Sequence, residues 1–231
     1  MISDIICLTD GRLIIVEIGR RVSLLTPDGK LQKHLPIYGE TRSVTQINQD
    51  TIALIYLYER VIKIFNMENG TVTKVIKLNK VCYGLSSSDN SLVVGLYNDE
   101  IRIVDLEGNT LKSIQVQCIS TLLNFVYCND RVIYSDFIDK VIYCVDGSGK
   151  QIWQYTQDLE GPKGLCIDTY GNTIVSDSAS KRIIVISKDG KESKVLHSGG
   201  DGPAHICLNH CESSCFSCDG KYLTIFNLSS G

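Results

Sequence analysis

Between Gly161 and His197 the apolar residues fall into four short runs, near 163–168, 173–176, 183–186 and 191–196. Turn residues close each run: Tyr170-Gly171-Asn172, then Asp177 with Ser178-Ala179-Ser180, then Ser187-Lys188-Asp189-Gly190. Short apolar, β-branched runs separated by turns this tight predict four antiparallel strands joined as a meander. The last run is the most polar and reads as an edge. One such sheet is only marginally stable alone, so it needs neighbours to pack against.

The same pattern recurs along the chain. Runs of the third-strand type begin at Val22, Val61, Ile101, Val141, Ile183 and Leu223, at spacings of 39, 40, 40, 42 and 40 residues. The turn after them recurs as Pro27-Asp28-Gly29, Glu68-Asn69-Gly70, Glu107-Gly108-Asn109, Gly147-Ser148-Gly149 and Asp189-Gly190-Lys191. A four-strand unit repeating at about forty residues is the mark of a propeller blade. The expected fold is all-β: a single six-bladed β-propeller of four-stranded antiparallel blades over 1–231. Its blades fall near 4–37, 43–78, 84–116, 124–155, 161–197 and 204–228. The last blade shows three strands and lacks its outer one. The expectation is therefore a fragment whose closing strand lay upstream of Met1 or beyond Gly231, and a monomer when isolated.

Composition narrows the function. A hydrophobic content of 43% is enough for a continuous core between blades. A net charge of −3 gives no global reason to expect a nucleic acid or an anionic membrane as partner. No apolar run approaches the roughly 18 residues that would span a bilayer. Met1-Ile2-Ser3 leads straight into the first strand without an apolar leader, and there are ten cysteines. Together these point to free thiols in a reducing compartment, with a cytoplasmic location expected.

Gly161-Pro162-Lys163-Gly164-Leu165, followed by Asp168, Gly171-Asn172, Val175-Ser176-Asp177, Lys181-Arg182-Ile183 and Asp189-Gly190, resembles an NHL repeat. Blade four matches more loosely through Tyr134-Ser135-Asp136 and Lys140-Val141, and the other blades keep the period without the aspartate. The chain as a whole is similar to the C-terminal propeller of TRIM-NHL proteins of the divergent invertebrate type. That resemblance implies a domain that recognises protein or RNA and recruits substrates for a ubiquitin ligase. The RING, B-box and coiled-coil segments of such a ligase are not in these 231 residues.

Several constellations carry chemistry. Cys207, Cys211, Cys215 and Cys218 with His205 and His210 are the densest set of metal-ligand types. Cys207, however, shares a first-strand position with Cys7 and Cys166, where a small residue packs inward. Cys215 and Cys218 are three apart on a strand and so point to opposite faces. No metal and no cofactor is expected. The first strands bring no convergent set of carboxylates and histidines, and neither a Gly-x-Ser-x-Gly elbow nor a phosphate loop occurs, so no enzyme is expected. A propeller hydrolase or lyase with a metal at its axis stands third. Asp177 with Arg182, and Asp136 with Lys140, read as pairs that staple their own turns.

The two ends of the blades differ. One end has ordinary turn residues such as Asp10-Gly11 and Gly171-Asn172. The other, formed by second-to-third-strand turns and blade-to-blade connections, carries Ile18, Tyr56, Tyr58, Tyr97 and Phe137 in turns. Arg42, Tyr83, Leu123 and Lys163 stand at the starts of blades. Apolar residues in turns mark a binding surface unless they fold down and cap the core. A protein or peptide partner is expected there. RNA is the alternative, because aromatic platforms suit it, although acids on this end outnumber the basic residues.

Overall fold

The computed structural model describes residues 1–88, 90–199, 202–209, 214–219 and 222–227. It contains 23 strands. In chain order they are β1 (Ile2–Cys7), β2 (Leu13–Glu17), β3 (Arg21–Leu25), β4 (Leu31–Leu35), β5 (Thr41–Asn48), β6 (Thr51–Tyr56), β7 (Val61–Asn66) and β8 (Thr71–Lys77). Then come β9 (Cys82–Ser88), β10 (Ser91–Leu96), β11 (Glu100–Asp105), β12 (Thr110–Gln115), β13 (Phe125–Cys128), β14 (Arg131–Asp136), β15 (Val141–Asp146) and β16 (Gln151–Tyr155). The series ends with β17 (Pro162–Ile167), β18 (Thr173–Asp177), β19 (Arg182–Ile186), β20 (Ser193–Ser198), β21 (His205–Leu208), β22 (Ser214–Cys218) and β23 (Leu223–Asn227). They form five four-stranded antiparallel meanders and one of three strands among the described residues. The fold is a six-bladed β-propeller. Each blade's strands are lettered a to d in chain order.

Two compact units divide the chain: Met1–Val116 with blades one to three, and Gln117–Gly231 with blades four to six. In the first unit the a strands pack on one another, β1 on β5 and β5 on β9, while the d strands are largely exposed. The b strand of blade two shows why its sequence is a continuous apolar run. Ile52, Leu54 and Tyr56 pack with Ile14, Val16 and Leu24 of blade one. Ala53 and Ile55, on the alternate face, pack with Leu92 and Val94 of blade three. A strand buried on both faces needs no polar alternation, and each fully buried aliphatic side chain contributes about 1.5–3 kcal/mol.

The second unit follows the same logic. Val175 and Ile184 of blade five pack with Ile133, Ile142 and Cys144 of blade four, and Ile174 and Ile183 pack with Ile206 and Cys215 of blade six. Trp153 on β16 seats on blade five's c–d turn, where its indole N–H donates to the Lys188 carbonyl at 3.1 Å. A Cβ on Gly190 would lie 2.7 Å from that ring, and the residue's φ is +73°. Glycine is required there on both grounds.

The c–d turns explain the recurring Asp-Gly signal. Asn66, Asp105 and Asp146 end their c strands and accept backbone N–H groups two to four residues on. Blades one and five reverse the chemistry. Thr26 and Ser187 hold that position and donate to Asp28 and Asp189, at 2.5 and 2.7 Å. Either order makes the same side-chain-stabilised turn.

Candidate functional site

The b–c turns of blades two, four and five are four-residue loops, 57–60, 137–140 and 178–181, closed by Arg60, Lys140 and Lys181 at φ of 55–58°. Blades one and three use three-residue loops, 18–20 and 97–99. The loops of blades one, three and five are tied to the chain leading into their own first strands: the Ile18 N–H donates to the Met1 carbonyl, Tyr97 to Val81, and Ser178 to Gly161. In these blades turn and connection form one surface.

Exposed aromatics gather on that surface. In the first unit Tyr58 is 75% exposed and Tyr97 56%. Tyr38, in the connection before β5, is also exposed. In the second unit Phe137 and Ile138 are exposed in the blade-four turn and Ile119 in the connection before it. In the a–b and c–d turns at the opposite end, Tyr170 is the one large apolar side chain exposed among the described residues. The turn aromatics do not fold down to cap the core.

Tyr56 is the correction. The sequence groups it with Tyr58 in a turn, but it is the last residue of β6, 3% exposed and packed in the core between blades one and two. Lys63 lies over its ring at 3.8 Å. Ile18, Arg42, Tyr83, Leu123 and Lys163 are all half-buried. Arg42, second residue of β5, lies within electrostatic reach of Tyr58 and Tyr83. Burial holds its guanidinium below the usual arginine range, against the opposing pull of the two phenols. Lys163, second residue of β17, stands 5.3 Å from the Phe137 ring centroid. That ring also leans on Gly161, 2.9 Å from where a Cβ would be. Tyr38, Ile119 and Ile138 were missed as site residues. Applying the test of apolar residues in turns to 36–40 and 117–124 would have found the first two.

The aspartates at the ends of the b strands have no exposed surface. Asp177 accepts the Gly161 N–H at 2.6 Å, the Glu160 N–H at 3.1 Å and the Ser180 hydroxyl at 2.5 Å. Arg182 approaches it at 3.4 Å and also donates to Ser180 and to the Asp158 carbonyl. Asp136 is held differently from the expected pairing with Lys140. Its carboxylate accepts the N–H groups of Ile119, Ser120, Ile138 and Asp139 at 2.6–3.4 Å. Burial pushes its pKa up, but these bonds and the Ser120 hydroxyl outweigh that and hold it below the usual carboxylate value.

Of the cysteine and histidine cluster, His210 and Cys211 lie outside the described residues. Cys215 and Cys218 are buried on β22, and Cys215 packs with Ile174, Ile183 and Ile206. Burial pushes its thiol up to about 12, which disfavours the thiolate that binds metal. No group of three His, Cys, Asp or Glu placed to hold an ion occurs among the described residues. An open cleft of about 360 Å³ lies at the opposite end of the first unit, lined by Ile6, Cys7, Thr9, Gln46, Asn48 and Ser87 among others. Its lining carries amides and hydroxyls but neither carboxylate, histidine nor lysine. Among the described residues no helix is long and apolar enough to cross a membrane.

No protein-family model matches the chain, and no curated protein matches it. Among solved structures it is similar to the β-propeller domain of Cps50 (Swd1) from Myceliophteria thermophila, with a TM-score of 0.71 at 10% identity over 100% of this chain and 83% of that one. At that identity the likeness shows the fold alone. The chain is a β-propeller.

Proposed function

We propose that this chain is a recognition propeller, non-catalytic in itself, that docks a protein or peptide on the b–c ends of its blades. The carrying observation is the segregation of exposed aromatics to those ends, with Tyr58 and Tyr97 on adjacent blades of the first unit. Aromatic side chains offer large rigid contact area and dominate protein interfaces. The NHL-like motif of blade five extends the reading to a substrate-recruiting domain of a TRIM-type ubiquitin ligase. Support for that step is the hydrogen-bonding role of its Asp177, which is structural. A cytoplasmic location suits buried thiols such as Cys82, which burial pushes up to about 11.

The test is an affinity pull-down with and without nuclease, using the wild-type chain and a Tyr58→Ser/Tyr97→Ser variant. A protein partner retained after nuclease treatment and lost in the variant is the expected result. Capture that disappears with nuclease would replace the protein reading with RNA. Capture that survives in the variant would move the site elsewhere.

A further inference from the structure

Arg42 is the one half-buried cation at the b–c end of the first unit without a hydrogen bond or ion pair to any described residue. Other cations in this unit are committed: Arg21 pairs with Glu17 at 2.8 Å and Lys63 with Glu59 at 2.9 Å, while Lys80 and Arg102 share Glu100 at 2.5 and 2.6 Å. Arg20 and Arg60 are exposed to water. Arg42 has surrendered part of its hydration without gaining a carboxylate, which is costly for a charge. The exposed Tyr58 and half-buried Tyr83 lie within electrostatic reach of it. The register repeats in the second unit: Lys163, also second in its a strand, stands beside Phe137 without an ion pair among the described residues.

Building on the recognition reading above, we propose that Arg42 anchors a carboxylate of the docked partner. The Asp or Glu side chain of an acidic peptide would fill its vacant fork while a neighbouring apolar residue lies on Tyr58. A guanidinium takes a carboxylate through two parallel N–H bonds. A nucleic-acid backbone is the poorer fit. It needs a run of cations without opposing charge, whereas Arg20, Arg42 and Arg60 at this end stand among Glu17, Glu40, Glu59 and Glu100.

The experiment selects binders to the wild-type chain from a displayed random-peptide library. Selected sequences are then titrated as synthetic peptides, with and without acid-to-amide replacements, against wild type, Arg42→Gln, Arg42→Lys and Tyr58→Ser. Selected peptides should pair an acidic residue with an apolar one. Arg42→Gln should weaken them about ten-fold or more, Arg42→Lys less. Amide replacement in the peptide should cost wild type the same factor and cost Arg42→Gln almost nothing. The wild-type half of that arm reads the carboxylate from the peptide side, and Arg42→Lys, which keeps the charge but not the fork, tests the assignment if Arg42→Gln is unstable. Peptides that lose affinity in Tyr58→Ser but not on acid-to-amide replacement would overturn the Arg42 assignment and leave peptide recognition standing. Failure to select any peptide sensitive to Tyr58→Ser would overturn both. Single-stranded RNA bound in an Arg42-dependent way, with no acidic peptide selected, would also overturn the assignment.

Discussion

At the last position of strand b, blades four and five carry Asp136 and Asp177, whereas blades two and three carry Tyr56 and Leu96. All four side chains are buried. In blades four and five the carboxylate gathers N–H groups from the connection leading into the same blade. In blades two and three an apolar side chain fills the place, and the local backbone satisfies itself. The Ile37 N–H reaches the Leu35 carbonyl, Thr41 reaches Gly39, and Tyr97 reaches Val81. One backbone geometry thus supports a polar and an apolar way of fixing a turn, and each is complete only with its own connection. The difference also separates structure from function: Tyr56 replaces the aspartate, while Tyr58, two residues on, is free for a partner.

The strongest way to break this comparison is to give blade five the side chain of blade three. Asp177→Leu removes the acceptor for Gly161 and Glu160 and strands Arg182. Two N–H groups lose their acceptor at about 1–3 kcal/mol each, so the variant should lose about 3 kcal/mol or more in urea unfolding. A loss below about 1 kcal/mol would mean that the two solutions are interchangeable and the connection adapts.

The fold was legible because its signals are local and periodic. Apolar runs at about forty-residue spacing, with Asx or Ser/Thr turns after each c strand, name the blades whatever else varies. The site was legible in part. Apolar residues in turns located Tyr58, Tyr97 and Phe137, but a strand that ends one residue later than expected moved Tyr56 from the surface into the core. Of the partners of Asp136 and Asp177, only Arg182 was legible, as the cation that staples its own turn. Backbone N–H groups brought from 16 or 17 residues away leave no trace in residue identity.

Acid dependence sharpens the comparison by setting Asp136 beside a third carboxylate. Asp4, on β1, accepts the Ser43 hydroxyl at 2.7 Å and the Val44 N–H at 2.9 Å from blade two. Asp4 is half-buried in that seam, and burial wins over these bonds, pushing its pKa up to about 6. A carboxyl raised in the folded state favours the fold when protonated. Its contribution is therefore full below the unfolded value of 3.8 and is lost as pH rises through about 6. Asp136, held low, does the opposite: its contribution is present above the unfolded value and lost as pH falls through the folded one. Wild type should lose stability relative to Asp4→Asn as pH rises from 3.8 to about 6, measured by urea unfolding at each pH. Parallel curves would remove Asp4 from the account.

The smallest effect is expected where the sequence looks most conspicuous. Tyr58 and Tyr97 are large aromatics, yet they stand mostly in solvent and no core depends on them. Blade five's turn carries the small residues Ser178 and Ala179 in its first two places, so a turn at this end needs no aromatic side chain. Replacing both tyrosines by serine should change stability by no more than about 0.5 kcal/mol per site, the range of ordinary surface substitutions. Removing Tyr56 by Tyr56→Ala should cost about 3–5 kcal/mol, as for other buried aromatics. The measurement is thermal and urea unfolding of the double variant beside Tyr56→Ala. A small loss in the first and a large one in the second would confirm that two tyrosines separated by one residue serve different ends. A large loss in the double variant would make the turn aromatics part of the core, and the docking surface would lose the observation that carries it.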